Sequence, residues 1–310
     1  MNQVPFHTPV LVDQVSKYLI TNPSGIYVDA TIGGGGHSIE ILKKLAVTGR
    51  LIGIDFDDKA LEYAKDTLKS FKKRVILKKG NFAEIRKILS SFEINQVDGI
   101  LLDLGVSSHQ IDTSERGFSY LAPGPLDMRM SAETKTTAEE IINTYSVQEL
   151  ERIFREFGEE PRARFMAKVI IKERQKIQIT TTQQLVKIIE SVISFQHRIK
   201  SLARIFQALR ITVNKELENL QLFLNQSLDV LKSGSRLVII AYHSLEDRMV
   251  KEFFSEQSNP CHCPPELPVC VCDRRSTIRI LTRRVVRPSS QEVEANPRSR
   301  SAKLRAIEKL

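Results

Sequence analysis

The chain has 310 residues, of which 41% are hydrophobic and 27% charged, a composition ordinary for a globular protein of one or two domains. The first ten residues, MNQVPFHTPV, lack the charged and apolar segments of a secretory signal, and no apolar run is long enough to span a membrane. We therefore expect a cytoplasmic protein without a membrane partner.

The formal net charge of +9 is unevenly distributed along the chain. Residues 274–310 contain 11 Lys and Arg against 3 Glu, which accounts for nearly all of the excess. A local basic surface favours a polyanionic partner, most commonly nucleic acid, although a solvated basic tail would have the same composition. Because Ile278, Ile280 and Val285 alternate with the basic residues in the manner of strands, we favour the nucleic-acid partner.

Strand and helix patterns alternate through the first hundred residues. The segments 37–45 and 57–71 predict helices, the second of them clearly amphipathic, and short apolar runs predict strands. The predicted strands are Ile26–Ile32, Leu51–Phe56, Arg74–Leu77 and Val97–Asp103. This alternation is typical of βαβ units and predicts a parallel, Rossmann-like α/β sheet.

The alternation stops between about residue 113 and residue 216, where helix signals dominate. Two capping boxes, a proline suited to a first helical position and one long periodic segment mark the expected helices. They lie at Ser146–Glu149, Thr181–Gln184, Pro161 and 204–231. The apolar run Arg236–Tyr242 then predicts a buried parallel strand, followed by an irregular loop at 255–276 and two or three short strands. We expect a discontinuous sheet domain, 1–112 and 217–310, interrupted by an all-helical domain, 113–216.

The strongest local motif is the turn DATIGGGGHS at residues 29–38, between a predicted strand and a predicted helix. Glycine permits positive φ angles there and lets a ligand approach the backbone closely. Asp55 ends the next strand, where a carboxylate can bind ribose hydroxyls. The glycine order resembles a nicotinamide fingerprint but lacks its third glycine.

Carboxylates distinguish the two candidate ligands of this turn. Asp29, Asp55 and Asp103 all end predicted strands, at the edge where open α/β sheets bind ligands. Asp29 would repel a pyrophosphate, whereas the sulfonium and ammonium groups of S-adenosylmethionine are attracted to carboxylates. We therefore predict S-adenosylmethionine as the cofactor, with a helix-capping role as the alternative for Asp29.

The strand that ends at Asp103 continues into a polar turn containing Ser107 and Ser108. The turn has no cysteine, which methylation of pyrimidine carbon 5 would need as a covalent nucleophile. An exocyclic amine needs only to be held in line with the methyl group, beside a hydrogen-bond acceptor. Asp103 and Ser107 are therefore the candidate catalytic residues, and capping of the next turn by the two serines is an equally weighted alternative.

Two further segments are candidates for contact with a nucleic acid. In the turn YHSLEDR at 242–248, Tyr242 or His243 could stack on a flipped base, while Asp247 and Arg248 favour an ion pair that fixes the turn. A basic stretch at 162–176 would contact phosphates without reading sequence, or would form the solvated face of a helix.

All four cysteines lie in one segment, as Cys261, Cys263, Cys270 and Cys272, with His262 between the first two. Disulfides are not expected in a reducing compartment. The C-x-C-x6-C-x-C spacing departs from the C-x2-C spacing usual in zinc sites. We favour reduced thiols over a structural metal and assign no metal ligand.

Long motifs over nearly the whole chain resemble the bacterial 16S rRNA cytosine-N4 methyltransferase family. They are HTPVL at 7–11, DATIGGGGHS at 29–38, DGILLDLGVSSHQID at 98–112, ERGFSY at 115–120, GPLDMRM at 124–130, FQALRITVN at 206–214, HSLEDR at 243–248 and NPRSRSAKLR at 296–305. The resemblance implies a class I methyltransferase sheet interrupted by a helical domain that recognises RNA. It also implies methylation of the N4 amine of cytidine 1402 at the decoding centre of 16S rRNA, in the small ribosomal subunit.

The resemblance further implies which residues bind the cofactor, with Phe82 against the adenine. These positions are Gly35, Gly36, His37, Asp55, Phe82, Asp103 and Gln110. His109 stands where the family often has proline and Tyr242 where phenylalanine is common, and neither departure removes an implied ligand. Two rival functions are a methyltransferase acting on a small molecule or protein, and a non-catalytic rRNA-binding assembly factor.

Overall fold

The computed structural model describes residues 9–261, 263, 272 and 274–310. The chain divides into two compact units. The first unit combines Met1–Gly105 with Asn219–Leu310, and the second is Val106–Glu218. Among the described residues, no helix is both long enough and apolar enough to cross a membrane.

Among the residues that the structure describes, the first unit is built on one seven-stranded sheet. Its strands are β1 (Ile26–Asp29), β2 (Arg50–Asp55), β3 (Val75–Lys79), β4 (Val97–Asp103), β5 (Leu231–Ala241), β6 (Ile278–Ile280) and β7 (Lys303–Lys309). Their order is β3-β2-β1-β4-β5-β7-β6. Pairings among the first five strands are parallel, whereas β7 is antiparallel to both β5 and β6. The strand order reverses between β1 and β4, as in doubly wound folds, and confirms the predicted Rossmann-like class I sheet.

Helices surround the sheet of the first unit and make up most of the second. In chain order they are α1 (Val12–Leu19), α2 (Gly36–Lys44), α3 (Asp58–Thr67), α4 (Ile85–Ser90), α5 (Ser108–Asp112), α6 (Ala138–Thr144), α7 (Val147–Glu156), α8 (Ala163–Arg174), α9 (Thr182–Glu190), α10 (Arg198–Asn214), α11 (Glu216–Ser227), α12 (Ser244–Ser258) and α13 (Ser290–Ala295). The boundary between the units falls within the first turn of α11.

The parallel sheet is buried on both faces, which explains the apolar runs of its strands. Successive side chains of a strand point to opposite faces. On β4, Ile100 and Leu102 therefore join one hydrophobic cluster, while Leu101 joins another on the opposite face. On β5, Ile239 and Ile240 divide in the same way. Two cores thus fix the central strands, and their carboxyl ends carry polar residues at one edge.

The second unit has a hydrophobic core of its own, with Phe154, Met166 and Leu209 among its buried side chains. Both predicted capping boxes are confirmed: Ser146 caps α7 and Thr181 caps α9. Pro161 was predicted as the first residue of a helix, which is wrong by two positions because α8 begins at Ala163.

The helical pattern predicted at 204–231 is confirmed as far as Ser227, but the segment is divided into two helices at Lys215. That residue adopts the left-handed region with a φ of 51° and ends α10. Asn214 fixes the break, since its amide donates 2.8 Å to the Met128 carbonyl and accepts from the Met130 amide at 2.7 Å. Arg210 pairs with Glu216 across the break. Met128 and Met130 are distant from Asn214 in sequence, so helical periodicity alone could not show the break.

Candidate cofactor and acceptor site

The glycine turn joins the carboxyl end of β1 to the start of α2. Gly33 and Gly35 have φ angles of 50° and 82°, which L side chains rarely adopt. Gly35 is the N-cap of α2, and no side chain of the described residues caps that helix. Within the described part of the chain, the atom nearest to a Cβ added at Gly33 would be 4.0 Å away. The turn therefore leaves its backbone uncovered by any described side chain at Gly33, with space for a ligand near the start of α2.

Asp29, the last residue of β1, is 1% exposed. Its Oδ2 accepts a hydrogen bond from the Ser38 hydroxyl at 2.7 Å, which ties β1 to the first turn of α2. Burial raises the pKa of Asp29, outweighing this hydrogen bond. Such a contact supports the structural role that the sequence left open for Asp29.

Asp55, the last residue of β2, is held through both carboxylate oxygens. The backbone N–H of Gly33 donates to Oδ2 at 2.8 Å and that of Asp57 donates to Oδ1 at 2.9 Å. Burial raises the pKa of Asp55 to about 6, even though both backbone hydrogen bonds lower it. The two backbone hydrogen bonds orient the carboxylate. Because each oxygen has a second lone pair, the carboxylate can still accept hydrogen bonds from ligand hydroxyls.

Phe82 follows β3 at the same edge of the sheet. The Asn81 side chain accepts from the Ala83 N–H at 2.9 Å, and the Gly80 N–H donates to the Asp55 carbonyl at 3.0 Å. The Phe82 ring packs edge-on against Phe223, with 5.8 Å between ring centroids and 85° between ring planes. A half-buried ring in this position can stack on a nucleobase.

Asp103, the last residue of β4, lies between an imidazole and a phenol. Its Oδ2 is 3.5 Å from Nε2 of His37, and its Oδ1 accepts from the Tyr242 hydroxyl at 3.1 Å. Burial acts to lower the pKa of His37, but Asp103 and Asp29 outweigh it and the pKa is raised. Burial and Asp103 together raise the pKa of Tyr242 well above its usual value. A carboxylate oriented on both oxygens therefore faces this edge.

The three aspartates are brought together as the sequence predicted. They end β1, β2 and β4, which are neighbours in the sheet. Sequence reasoning gave no role to Thr31, whose hydroxyl accepts from the Asp103 N–H at 2.7 Å. Its position two residues after Asp29, within the glycine motif, was the available signal. Thr31 thus connects the ends of β1 and β4.

The turn after β5 is fixed by Glu246, which is 2% exposed. Its Oε2 accepts from the backbone N–H of Tyr242 at 2.9 Å and of His243 at 3.3 Å. Nε2 of His243 lies 3.2 Å from Oε1 of the same carboxylate. His243 is therefore the N-cap of α12 and is held in the turn. The suggestion that Tyr242 or His243 stacks on a base stays a prediction.

Asp247 has an ion-pairing role, but with other residues than predicted. The expected partner was Arg248, whereas the structure pairs Asp247 with Arg305 at 2.7 Å and Lys303 at 3.3 Å. Burial acts to raise the pKa of Asp247, but the two cations outweigh it and the pKa is lowered. Both cations are on β7, so part of the basic terminal segment holds α12 to the sheet.

Ser107 and Gln110 belong to the second unit. They form the capping box of α5, in which the Ser107 hydroxyl accepts from the Gln110 N–H at 3.2 Å and the Gln110 side chain accepts from the Ser107 N–H at 3.0 Å. The capping alternative is therefore realised for Ser107. An accepting hydroxyl can still donate its own proton, so the geometry leaves the orienting role of Ser107 a prediction.

The basic stretch at 162–176 forms the start of α8 and its outer face. Arg162 and Lys168 are exposed, as expected for a phosphate-binding or solvated surface. Arg174 differs, because its guanidinium donates to the carbonyls of Ile142 and Tyr145 at 2.8 and 2.7 Å. This arginine holds the second unit together.

Three of the four cysteines lie close together. The Sγ atoms of Cys261, Cys263 and Cys272 are within 4.8 Å of one another, a spacing that one tetrahedral ion could bridge. Cys270 and His262 lie outside the described residues, as does the beginning of the HTPVL motif. The cluster is compatible with a structural metal, which the spacing in sequence did not favour.

Comparison with known proteins identifies relatives along the full chain. A model of the MraW methylase family matches residues 5–310. Ribosomal RNA small subunit methyltransferase H of Syntrophotalea carbinolica is 48% identical over 307 residues, 98% of this chain and 98% of that protein. The protein of the same name from Caldicellulosiruptor saccharolyticus is 48% identical over 305 residues, 98% and 99% of the two chains. A solved rRNA methylase from Streptococcus thermophilus aligns with a TM-score of 0.42 at 12% identity, covering 100% of this chain and 99% of that one.

Proposed function

The chain belongs to the MraW methylase family, and from this premise we propose that it transfers a methyl group from S-adenosylmethionine to the N4 amine of a cytidine in 16S rRNA. The supporting observation is the set of carboxylates that end three adjacent strands beside the glycine turn. Its full-length relatives are ribosomal RNA small subunit methyltransferases H. The family resemblance implies cytidine 1402 as the acceptor. In this proposal the reaction takes place in the cytoplasm.

The residues present fit an adenosyl ligand. Asp55 is oriented by two backbone N–H groups, and in this proposal it accepts the ribose hydroxyls. Phe82 would lie against the adenine, and the Gly35–His37 turn would contact the amino-acid portion through its backbone. The family resemblance adds Gln110 to the residues that would bind the cofactor. The sulfonium of the bound cofactor supplies an electrophilic methyl group.

Asp103 positions the reacting groups in this mechanism. With S-adenosylmethionine bound, the acceptor N4 would take the methyl group, and the sulfonium would retain the electron pair of the broken carbon–sulfur bond as a thioether. Asp103, held by His37 and Tyr242, accepts a hydrogen bond from the amine and localises its lone pair. Ser107 adds a second polar contact to the amine. The methylated nitrogen is acidic enough to lose its proton to water, so no catalytic base is assigned.

In this proposal the helical unit, Val106–Glu218, recognises the RNA. The sequence analysis gives the same role to the predicted domain 113–216. Exposed basic residues at the start of α8 would contact phosphates without reading sequence. The basic segment 274–310 would add further phosphate contacts, apart from those of its cations that are paired within the fold. The substrate is 16S rRNA, either free or in the small ribosomal subunit.

The test is transfer of labelled methyl from S-adenosylmethionine to small subunits and to naked 16S rRNA that lack the modification. Nucleoside mass spectrometry should find the label in N4-methylcytidine or its 2′-O-methylated form. Asp103→Asn should slow single-turnover transfer by about tenfold to a hundredfold, the worth of one hydrogen bond to a charged group.

Asp58→Asn is the matched control, since Asp58 is 61% exposed and its contact is with Lys79. It should react at the wild-type rate. Full activity of Asp103→Asn under saturating cofactor would remove Asp103 from the mechanism. Cofactor binding without any label in RNA would redirect the assignment to a small-molecule or protein acceptor, and lack of cofactor binding to a non-catalytic assembly factor.

A further inference from the structure

A cavity of about 200 Å³ lies within the helical unit. Its lining residues are not among the strand-end residues of the first unit. Residues just before α8 and residues around the start of α10 line it, among them Glu160, Arg162, His197, Lys200 and Arg204. A water molecule occupies about 30 Å³ of liquid, so the cavity can hold a group the size of a nucleobase. The lining combines four basic side chains with one acid.

Glu160 is 3% exposed, and its two oxygens have different surroundings. Oε1 accepts from the Arg162 N–H at 3.1 Å. Oε2 is buried and receives no hydrogen bond from any residue that the structure describes. The nearest cation, a guanidinium nitrogen of Arg204, is 3.7 Å from it, too far for a hydrogen bond. Buried carboxylate oxygens are costly without a donor, so this oxygen indicates a ligand that donates.

The rest of the lining attracts anions. Arg162, His197 and Lys200 are exposed, and no ion pair within the described ranges involves Arg162 or Lys200. The basic and acidic lining residues of the cavity belong to the segment just before α8 and to the N-cap and first two turns of α10. Within the same ranges neither helix has a side-chain hydrogen bond from its N-cap, and neither has an acidic residue in its first turn. Helix N-termini carry partial positive charge and bind phosphates.

Two large apolar side chains that are close in sequence to the cavity lining are exposed. Phe195 is 83% exposed and Ile199 is 71% exposed, and they flank His197 in sequence. Exposed aromatic rings among basic residues are typical of surfaces that bind unpaired RNA bases. A simple anion would be repelled by Glu160, and a simple cation by the surrounding basic groups. The site therefore suits a ligand that carries both a phosphate and a hydrogen-bond donor.

We propose that this cavity binds one unpaired nucleotide of the RNA substrate, distinct from the nucleotide that is methylated. Oε2 of Glu160 accepts from an amino group of the base, as carboxylates do with cytosine N4. Lys200, Arg162 and the two helix N-termini bind the adjoining phosphate, and Phe195 stacks on a neighbouring base. The proposal rests on the proposed function, since it names a second anchor for the same RNA.

The test uses fluorescence anisotropy of the full chain with labelled oligo(C), oligo(A) and oligo(U) of about 12 nucleotides, within the usual range of single-strand sites, and with no methyl donor. Lys200→Glu should weaken binding of all three at least fivefold and reduce the salt dependence of log K by about one phosphate contact. Lys187→Glu, a charge reversal at another exposed lysine, on α9, should stay within twofold of wild type.

Glu160→Gln tests the donor contact separately. Wild type should prefer oligo(C) and oligo(A) to oligo(U), because uracil has no amino group, and Glu160→Gln should lose that preference. Circular dichroism melting shows whether each variant is folded, and the Lys200→Glu comparison stands on its own if Glu160→Gln is not.

Equal affinities of Lys200→Glu and Lys187→Glu would overturn the proposal. So would displacement of the oligonucleotide by stoichiometric inorganic phosphate, which would assign the cavity to a free anion. Both results leave methyl transfer to 16S rRNA intact. Conversely, a chain that binds these oligonucleotides as described but labels no RNA would defeat the proposed function and leave this site in place.

Discussion

Cofactor affinity should depend on pH through Asp55. The pKa of this carboxyl is raised to about 6 by burial in the ligand-free chain. In the proposed complex it accepts ribose hydroxyls, which favours the ionised form and lowers its pKa. Binding must therefore displace a proton whenever the solution is more acidic than about pH 6, and affinity should be lost as the pH falls through that value.

The size of this effect follows from the titration. With a pKa of about 6, roughly one Asp55 side chain in eleven is ionised at pH 5, so the dissociation constant should rise about tenfold between pH 7 and pH 5, or about 1.4 kcal/mol. An unperturbed aspartate would lose only a few per cent of its affinity over that range. Isothermal titration calorimetry in buffers of different ionisation enthalpy should detect release of about 0.9 proton at pH 5.

Asp55→Asn provides the control for this measurement. The variant should bind more weakly at every pH, and the part of the pH dependence that belongs to Asp55 should disappear. The pKa of His37 is also raised, so the difference between wild type and variant isolates Asp55. If wild type and Asp55→Asn showed the same slope between pH 5 and pH 7, Asp55 would not be the titrating ligand of the ribose.

Three further predictions concern the backbone, the cysteines and the basic segment. Gly35→Ala should lower the free energy of unfolding by about 1–2 kcal/mol through its positive φ and also weaken cofactor binding. Gly234 has a φ of 77°, and no atom of the described residues lies within 4 Å of an added Cβ. Gly234→Ala should therefore show only the loss of stability, as measured by thermal melting. The clustered Sγ atoms of Cys261, Cys263 and Cys272 favour a structural metal over the reduced thiols expected from the sequence. Protein purified without chelator should therefore contain about one zinc per chain by mass spectrometry and lose it in Cys263→Ser; metal-free wild type with reactive thiols would contradict this. Asp247→Asn should cost about 1–3 kcal/mol in urea unfolding by removing the charge that pairs with Arg305, and an unchanged midpoint would mean that the contact contributes nothing.

Much of the candidate site could be predicted because it depends on strand ends. A parallel strand buried on both faces is a continuous apolar run, and its last residue is marked by the first polar side chain. Asp55 and Asp103 are predicted in this way, and the rule that the carboxyl ends of parallel strands meet at one edge of the sheet brings them together. The glycine turn is equally predictable from the sequence, because the positive φ angles at Gly33 and Gly35 disfavour most other residues.

The remaining features depend on contacts between residues distant in sequence. Periodicity predicts a continuous helical pattern through Lys215. In the structure, hydrogen bonds of the Asn214 side chain with the backbone of Met128 and Met130 accompany the end of α10 at Asn214. Arg174 was interpreted as part of a phosphate-binding face, yet it donates to carbonyls of another helix. Such roles depend on which residues are neighbours in three dimensions. They cannot be predicted from residue type and spacing.

The position of the helical unit in the chain has a consequence for folding. β4 and β5 are adjacent in the sheet, with Leu102 opposite Ile239, although the whole of Val106–Glu218 lies between them in sequence. Closing so long a loop with unstructured chain costs entropy that local contacts do not repay, and it slows folding. A helical unit that collapses first around its own core would bring the two strands closer before they pair. The rate at which the sheet assembles should therefore respond to the stability of a core that contributes no strand to it.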